Sequence, residues 1–234
     1  MKKIKNGDKM KLSNKILIAA VLLFAIVWVS IFVQGLMKIK SPPVVQRIPF
    51  YYLISADGVK YLRVDASIYV IIEYSDHPSI LIPDSVSFRK NNYRIERTND
   101  TLVIRSDNAI DEKIISTSNG ITIFTNSLRG ISSSVNSNVW DHSTQNDSLH
   151  VSALDNSFVY VNSRKLNISL SGTSKALVNS CSIANIRMKN RSELNLEMID
   201  GTLKAVLTDK SKLILHGKIV KSDIVKKDSA IVTR

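Results

Sequence analysis

The sequence predicts an all-β protein, in which a β-solenoid of about 18-residue coils follows a short antiparallel β region and one N-terminal transmembrane helix. Three observations support this architecture. A long uncharged apolar run lies near the start, short runs of alternating apolar residues fill the rest, and a serine-led version of these runs returns at a nearly constant interval. The 234 residues are 44% hydrophobic, which excludes a disordered tail. The chain has one cysteine, which excludes an intramolecular disulfide and a multi-cysteine zinc site.

The apolar run covers residues 16–37 and contains no charged side chain. A helix of this length, rising about 1.5 Å per residue, would cross the hydrocarbon core of a bilayer. A cleaved signal peptide is the alternative, but its apolar region is normally about 7–15 residues long and ends at a small-x-small site. This run is longer, and Val33-Gln34-Gly35 matches such a site poorly. We therefore expect an uncleaved anchor.

The charges that flank this run predict its orientation. Residues 1–15 hold six lysines and one acid, Asp8, whereas two lysines closely follow the run. Because the more positive flank stays inside, residues 1–15 are expected to be a cytoplasmic basic tail on an inner (cytoplasmic) membrane, with the β domain in the periplasm. The formal charge of +12 is then mainly a property of the anchor. The exported part shows no pattern typical of nucleic-acid binding, so we expect no nucleic-acid partner.

The exported part divides into a linker at residues 38–48 and a β domain at residues 49–234. The linker contains Ser41-Pro42-Pro43, a stiff non-helical spacer. After it, short alternating runs such as residues 67–74 and 101–105 are separated by Asn, Asp, Ser and Gly. This spacing is typical of strands joined by turns, and no stretch has the period of an amphipathic helix.

A repeat in the second half makes the prediction more specific. Serines that open an alternating apolar stretch recur at intervals of 17, 18, 19 and 18 residues, and they are Ser157, Ser174, Ser192, Ser211 and Ser229. A second alternating stretch lies between successive serines, so each period holds two short strands and two polar corners. Units this short cannot bury an apolar face alone and must stack, which predicts solenoid coils from about residue 130 to residue 234.

The repeat assigns roles to its residues. We expect the five serines to lie at corners, where a hydroxyl bonds to the turning backbone. One apolar column is predicted to contain Val159, Leu177, Leu194, Leu213 and Ile231. A β-sandwich with regularly spaced strands is the alternative fold.

Three segments carry a resemblance to a known family. They are the alternating strands at residues 61–65 and 68–74, the Leu-x-Ile element at residues 99–104, and the corner Ser171-Gly172-Thr173-Ser174. Together they resemble the head-GIN domain family of auto-transporter adhesins, which is frequent in Bacteroidota-type envelopes. The resemblance covers most of the predicted exported chain and implies an exported, β-helical, non-enzymatic envelope module.

Candidate catalytic and metal-binding residues are few. Asp141-His142-Ser143 contains the residue types of a triad, but adjacent residues of a strand point in different directions. Glu193 and Glu197 could form a carboxylate pair of the kind found in glycoside hydrolases, yet Lys175 and Lys212 are their coil neighbours.

The remaining reactive side chains fit structural roles. The four histidines, His77, His142, His150 and His216, lack the spacing of metal ligands. Cys181 is expected to be a small core or corner residue. We therefore assign no catalytic, cofactor-binding or metal-binding residue.

An Asp–Ser/Thr–aliphatic pattern recurs and resembles the acceptor motif for O-glycosylation in Bacteroidota envelopes. Its candidate acceptors are Ser85, Thr101, Ser148 and Ser229. Turns that lead into strands select the same residue types, so turn chemistry is the alternative explanation.

The sequence as a whole predicts a non-enzymatic, membrane-anchored envelope protein whose β-solenoid is a structural or adhesin-like interaction surface. Its expected partners are the membrane, an envelope glycan or protein, and a second copy paired through the last strand at residues 230–233. A β-helical carbohydrate-active enzyme or glycan-binding module is one alternative. A membrane-tethered polymer resembling bactofilins is another, and it requires the opposite topology.

Overall fold

The computed structural model describes residues 51–83, 93–106, 120–143 and 147–234. Within these ranges the regular structure consists of 16 β-strands, which confirms the all-β prediction. The predicted tail, membrane helix and linker, and the candidate acceptor Ser85, lie outside the described residues. In the part of the chain that is described, no helix is long and apolar enough to span a membrane.

The strands are three to six residues long, except for the three that precede the last one, which have 14, 15 and 15 residues. They are β1 (Tyr51–Ser55), β2 (Tyr61–Asp65), β3 (Tyr69–Tyr74), β4 (Ser79–Pro83), β5 (Tyr93–Thr98), β6 (Thr101–Ser106), β7 (Ile121–Thr125), β8 (Gly130–Ser134), β9 (Asn138–Asp141), β10 (Ser148–Ala153), β11 (Phe158–Asn162), β12 (Lys165–Leu170), β13 (Lys175–Met188), β14 (Glu193–Leu207), β15 (Lys212–Lys226) and β16 (Ile231–Thr233).

These strands form a solenoid with two faces, in which parallel strands of successive coils pair with each other. Face A contains β7, β3, β9, β11, the first halves of β13, β14 and β15, and β16. Face B contains β6, β2, β8, β10, β12 and the second halves of β13, β14 and β15. The three longest strands therefore pass around a corner from face A to face B, with register irregularities near Cys181 and Gly201.

The register confirms the coil length. On face B, Leu149 pairs with Leu166, Leu166 with Ala184, and Ala184 with Leu203. These partners lie 17, 18 and 19 residues apart along the chain. All four side chains are buried, so a single layer of small and medium aliphatic groups fills the interior of each coil.

The apolar column on face A differs from the predicted one at two positions. Val159, Leu194 and Leu213 lie in it as predicted, but Ala176 and Val232 occupy the places assigned to Leu177 and Ile231. Side chains alternate between the two sides of a strand, so a shift of one residue moves Leu177 and Ile231 to the outer surface. Ile231 is accordingly 52% exposed.

The N-terminal part of the stack does not follow chain order. β2 pairs in parallel with both β6 and β8, and β3 pairs in parallel with both β7 and β9. The coil formed by β2 and β3 therefore lies between the coil of β6 and β7 and the coil of β8 and β9. Antiparallel pairing is found at the pairs β1–β4, β4–β7 and β5–β6, at the N-terminal end of the stack. The solenoid thus includes residues well before position 130, where the sequence places its first repeats.

Candidate interaction surface

Four of the five repeat serines lie at the turns that lead from face B to face A. Ser157, Ser174, Ser192 and Ser211 are each at most 1% exposed. Each follows by two residues a position with left-handed backbone: Asp155 (φ 55°), Gly172 (φ 71°), Asn190 (φ 64°) and Asp209 (φ 58°). These residue types tolerate positive φ better than others, so they set the turn, and the serine then enters the interior at the start of the strand.

Three of these hydroxyls bond back to the turn. Ser157 Oγ donates to the Leu154 carbonyl at 2.7 Å, and Ser192 Oγ donates to the Lys189 carbonyl at 3.0 Å. Ser211 Oγ donates to the Thr208 carbonyl at 2.8 Å. The bond satisfies a buried hydroxyl and closes the turn locally.

Ser229 does not belong to this column. Lys212 pairs with Ile231, so the residue equivalent to Ser211 is Ala230, and Ser229 is exposed one position earlier. The prediction for Ser229 is wrong because the last coil keeps the turn geometry, with Asp228 at φ 55°, but has alanine at the position equivalent to the buried serines.

The opposite corner, from face A to face B, contains Cys181. Its Sγ donates to the Ile183 carbonyl at 3.2 Å, and Ser163 makes the equivalent bond to the Lys165 carbonyl at 2.9 Å. The thiol is fully buried, and burial raises the pKa of Cys181 to about 11. A protonated, buried thiol is a poor nucleophile.

Asp141 and Ser143 contact each other, whereas the His142 ring packs against Trp140 and Tyr160 of the aromatic rings on face A. Asp141 is fully buried and accepts hydrogen bonds from the backbone N–H and the hydroxyl of Ser143, whereas His142 is exposed. Glu193 lies on the outer side of face A between two lysines, 4.0 Å from Lys175 Nζ and 3.7 Å from Lys212 Nζ. Within the described residues, no group of three or more His, Cys, Asp or Glu side chains is arranged to hold a metal ion.

The outer side of face B forms an open groove of about 870 Å³. We call it the face-B groove and define it by two outward columns of side chains. One column contains Tyr61, Gly130, His150, Asn167, Asn185 and Lys204, and the other contains Arg63, Ser132, Ser152, Ser169, Arg187 and Val206. Arg63 and Arg187 are separated by four strand spacings, or about 19 Å.

The floor of the groove is low because its central side chains are small. Ser132, Ser152 and Ser169 follow one another on successive strands between the two arginines. Beside them, Asn185 Nδ2 donates to Asn167 Oδ1 at 2.9 Å, which starts an amide ladder. The groove therefore presents hydroxyl and amide groups at the strand spacing of about 4.8 Å.

A tyrosine ring forms one end of the groove. Tyr61 is 39% exposed, and its ring lies across Gly130. A Cβ at position 130 would come within 2.8 Å of Tyr61 Cδ1, so glycine is needed for this approach.

The charge of the groove is positive. Arg63, Arg187 and Lys204 line it, and none of the described residues that line it is acidic. Arg63 Nε is held 2.6 Å from Asp65 Oδ2, which lies farther along the same strand and neutralises part of that end. Arg187 makes no ion pair with any described residue.

Face A has a different outer surface, which we call the aromatic ladder. It consists of Tyr69, Trp140, His142, Phe158 and Tyr160. The Trp140 and Tyr160 rings stack with centroids 5.2 Å apart and planes inclined by 28°. The other ring pairs of the ladder are tilted by 32–47°, so the rings pack against one another between successive coils.

The other predicted positions lie at the surface. Thr101 is half-buried at the start of β6 and lines the face-B groove, while Ser148 and Ser229 are exposed. Their accessibility leaves the glycosylation hypothesis as a prediction. Sequence reasoning missed the groove, although the recurrence of serine at positions 132, 152 and 169, in step with the coil length, is a signal that could have located it.

The predicted self-association surface is the last strand, residues 230–233, and the second half of β15 lies at the same end of the stack. Ser222, Ile224 and Lys226 lie above the buried Leu203, Ala205 and Leu207 of the preceding coil. Lys226 therefore occupies a core-facing position and is exposed. A charge at such a position disfavours pairing of the edge with another copy.

Solved structures are similar to this chain. A "putative adhesin" from Bacteroides fragilis matches with a TM-score of 0.60 and 12% sequence identity, covering 80% of this chain and 97% of that one. Proteins with the same description from Parabacteroides merdae and Parabacteroides distasonis match with TM-scores of 0.49, at 14% and 16% identity, covering 80% and 79% of this chain and 96% of each of theirs. No protein-family model matches the chain, and no curated protein is similar to it in sequence. At 12% identity the similarity to the Bacteroides fragilis structure shows the fold alone, which is the β-solenoid derived above.

Proposed function

We propose that this chain is a non-enzymatic protein of the cell envelope, anchored in the inner membrane by residues 16–37, whose periplasmic β-solenoid is an adhesin-like interaction surface. The observation that carries the proposal is the face-B groove. It is open, it spans the strands from β6 to the second half of β14, and its serine, asparagine and arginine side chains project from strands whose inner side chains form a continuous core.

The solenoid suits binding because its surface is organised before a ligand arrives. Each outward side chain of the groove has buried neighbours on its own strand; Ser152, for example, lies between Val151 and Ala153, which are 3% and 0% exposed. A rigid scaffold lowers the conformational entropy lost on association. The fold shared with the Bacteroides fragilis "putative adhesin" is consistent with this role.

The enzyme alternative receives less support. A β-helical glycosidase needs two carboxyl groups that face one substrate site. Glu193 and Glu197 lie on face A, away from the groove, and Glu193 contacts two lysines. A glycan-binding module, by contrast, would use the same groove and differs from our proposal only in naming the ligand.

Topology tests the anchoring part of the proposal. Alkaline phosphatase, which is active only outside the cytoplasm, or a reporter that is active only in the cytoplasm is fused after Arg234 of the full chain. We expect an active phosphatase fusion in the membrane fraction, because the lysine-rich flank stays inside. The opposite result would place the solenoid in the cytoplasm and support the bactofilin-like alternative.

Cosedimentation tests the interaction surface. The full chain in mild detergent is mixed with envelope polymers isolated from the native host. Ser152→Phe raises the centre of the groove floor, while Asn195→Phe adds the same ring to the outer side of face A. We expect cosedimentation that only Ser152→Phe abolishes. Equal loss in both variants, or no cosedimentation of the wild type, would contradict the proposal.

A further inference from the structure

We propose that the face-B groove binds an extended acidic polysaccharide, with Arg187 contacting a carboxylate of the chain. This inference rests on the proposed function, because it names the ligand class of the same surface.

Charge selects an acidic ligand. Arg187 and Lys204 lie in adjacent columns near one end, and the described lining includes no acidic residue. Asp223 follows Lys204 in the same outward column, so Arg187 is the cation of this end whose register neighbours, Ser169 and Val206, are uncharged. Arg187 has no ion-pair partner among the described residues, so its guanidinium is free to form the two parallel hydrogen bonds that a carboxylate accepts.

The repeat selects an extended ligand. Ser132, Ser152 and Ser169 place a hydroxyl on each of three successive strands, and Asn167 and Asn185 place amides beside them. Polar groups that recur at about 4.8 Å along a straight floor match a polymer with a short repeat rather than a compact molecule. Hydroxyls and amides are donors and acceptors suited to sugar hydroxyl groups.

The backbone cannot supply a competing mode of recognition. An extended peptide usually binds by adding a strand to a free edge. The strands of the groove are paired with a neighbour on both sides, as β10 is with β8 and β12, so their backbone groups are already used. Recognition must come from side chains, and the described lining offers two exposed rings for nucleobases, Tyr61 and His150, at neighbouring positions near one end.

The test measures binding of defined polymers to the full chain in mild detergent by a method such as biolayer interferometry. The probes are polygalacturonate and alginate as acidic glycans, dextran as a neutral glycan, and oligo(dT) as an acidic polymer without sugar carboxylates. We expect at least one acidic glycan to bind, with an affinity that falls as salt rises, and neither dextran nor oligo(dT) to bind comparably.

Matched variants locate the site. Arg187→Gln removes a charge from the groove, whereas Arg191→Gln removes the same charge from an exposed turn of the same coil. We expect Arg187→Gln to weaken acidic-glycan binding about tenfold, as for loss of a charge-assisted hydrogen bond. Arg191→Gln should change the affinity by less than about twofold. Ser152→Phe, which blocks the floor, should abolish binding.

The outcomes separate this inference from the proposed function. Equal weakening by Arg187→Gln and Arg191→Gln would show attraction to net charge and overturn the site. Tighter binding of dextran or oligo(dT) would overturn the ligand class, and so would failure of both acidic glycans to bind. If envelope cosedimentation still depended on Ser152 in that last case, the proposed function would stand and only the acidic polysaccharide would be rejected.

Discussion

The central coils, residues 148–217, and the terminal coil, residues 218–234, share one register but differ in what they bury. Leu203, Ala205 and Leu207 of the central coils are at most 2% exposed. Their counterparts in the terminal coil are Ser222, Ile224 and Lys226, of which the serine and the lysine are exposed. A central coil has a neighbour on each side, whereas the terminal coil has one. Parallel pairing alone therefore preserves the path of the chain, while a complete apolar layer requires two neighbours.

The largest expected effect is the loss of a central core side chain. Leu194 and Val232 lie in the same column of face A, the first fully buried and the second half-buried. Leu194→Ala should lower the free energy of unfolding by about 3 kcal/mol, because it removes buried methyl groups and leaves a cavity. Val232→Ala should cost less than about 1 kcal/mol, since its cavity opens to solvent.

Urea unfolding of the full chain in mild detergent, followed by circular dichroism, measures both changes. Similar losses for the two variants would mean that the terminal coil contributes as much as a central one. The two regions would then share both their register and the contribution of a core side chain to the free energy of unfolding.

A second effect depends on pH and concerns the central corner at Cys181. Because burial raises the pKa of this thiol from 9.0 to about 11, the unfolded chain loses its proton first between these values. The folded chain still holds the proton in that window, so the stability contributed by the neutral thiol falls as pH rises. Relative to Cys181→Ser, the wild type should lose about 1.4 kcal/mol of unfolding free energy per pH unit there.

Serine is a suitable reference at this position because Ser163 occupies the equivalent corner of the preceding coil. Urea midpoints from pH 8 to pH 11 give the comparison, and iodoacetamide supplies an independent measure of access. We expect alkylation of Cys181 only after unfolding. Rapid alkylation of the folded chain would contradict the buried corner and the raised pKa together.

The two regions also show what the sequence can predict. The serine intervals indicated the coil length, because a buried serine occupies the equivalent turn of four successive coils. They misassigned Leu177, Ile231 and Ser229, since a spacing that varies by one residue exchanges the two sides of a strand. Asp155, Gly172, Asn190 and Asp209, two residues before the buried serines, would have fixed the register, because each adopts positive φ.

Other features depend on contacts distant in sequence. β2 pairs with β8, so Tyr61 lies beside Gly130 across an intervening stretch that contains five other strands. No repeat in the sequence predicts that the coil of β2 and β3 lies between the coil of β6 and β7 and the coil of β8 and β9, because these coils are not successive along the chain. The face-B groove depends on the same long-range pairing, because β2 supplies Tyr61 and Arg63 at one end. The recurrence of serine in the sequence could have located the centre of the groove, but not its two ends.

The smallest expected effect separates turn-closing serines from one that only fills space. Ser211 Oγ donates to the Thr208 carbonyl, whereas Ser174 Oγ is buried without a hydrogen-bond partner among the described residues. Ser211→Ala should cost about 1 kcal/mol, the net value of one hydrogen bond. Ser174→Ala should be neutral or slightly stabilising, because it removes an unsatisfied buried hydroxyl. Thermal or urea unfolding of both variants measures the difference.

The terminal coil already carries this change, since Ala230 replaces the serine at its turn. Equal losses of stability in both variants would contradict this prediction, because the hydrogen bond to the turn would then not explain why serine recurs in the column. The alanine at position 230 would in that case reflect only the exposure of the last coil.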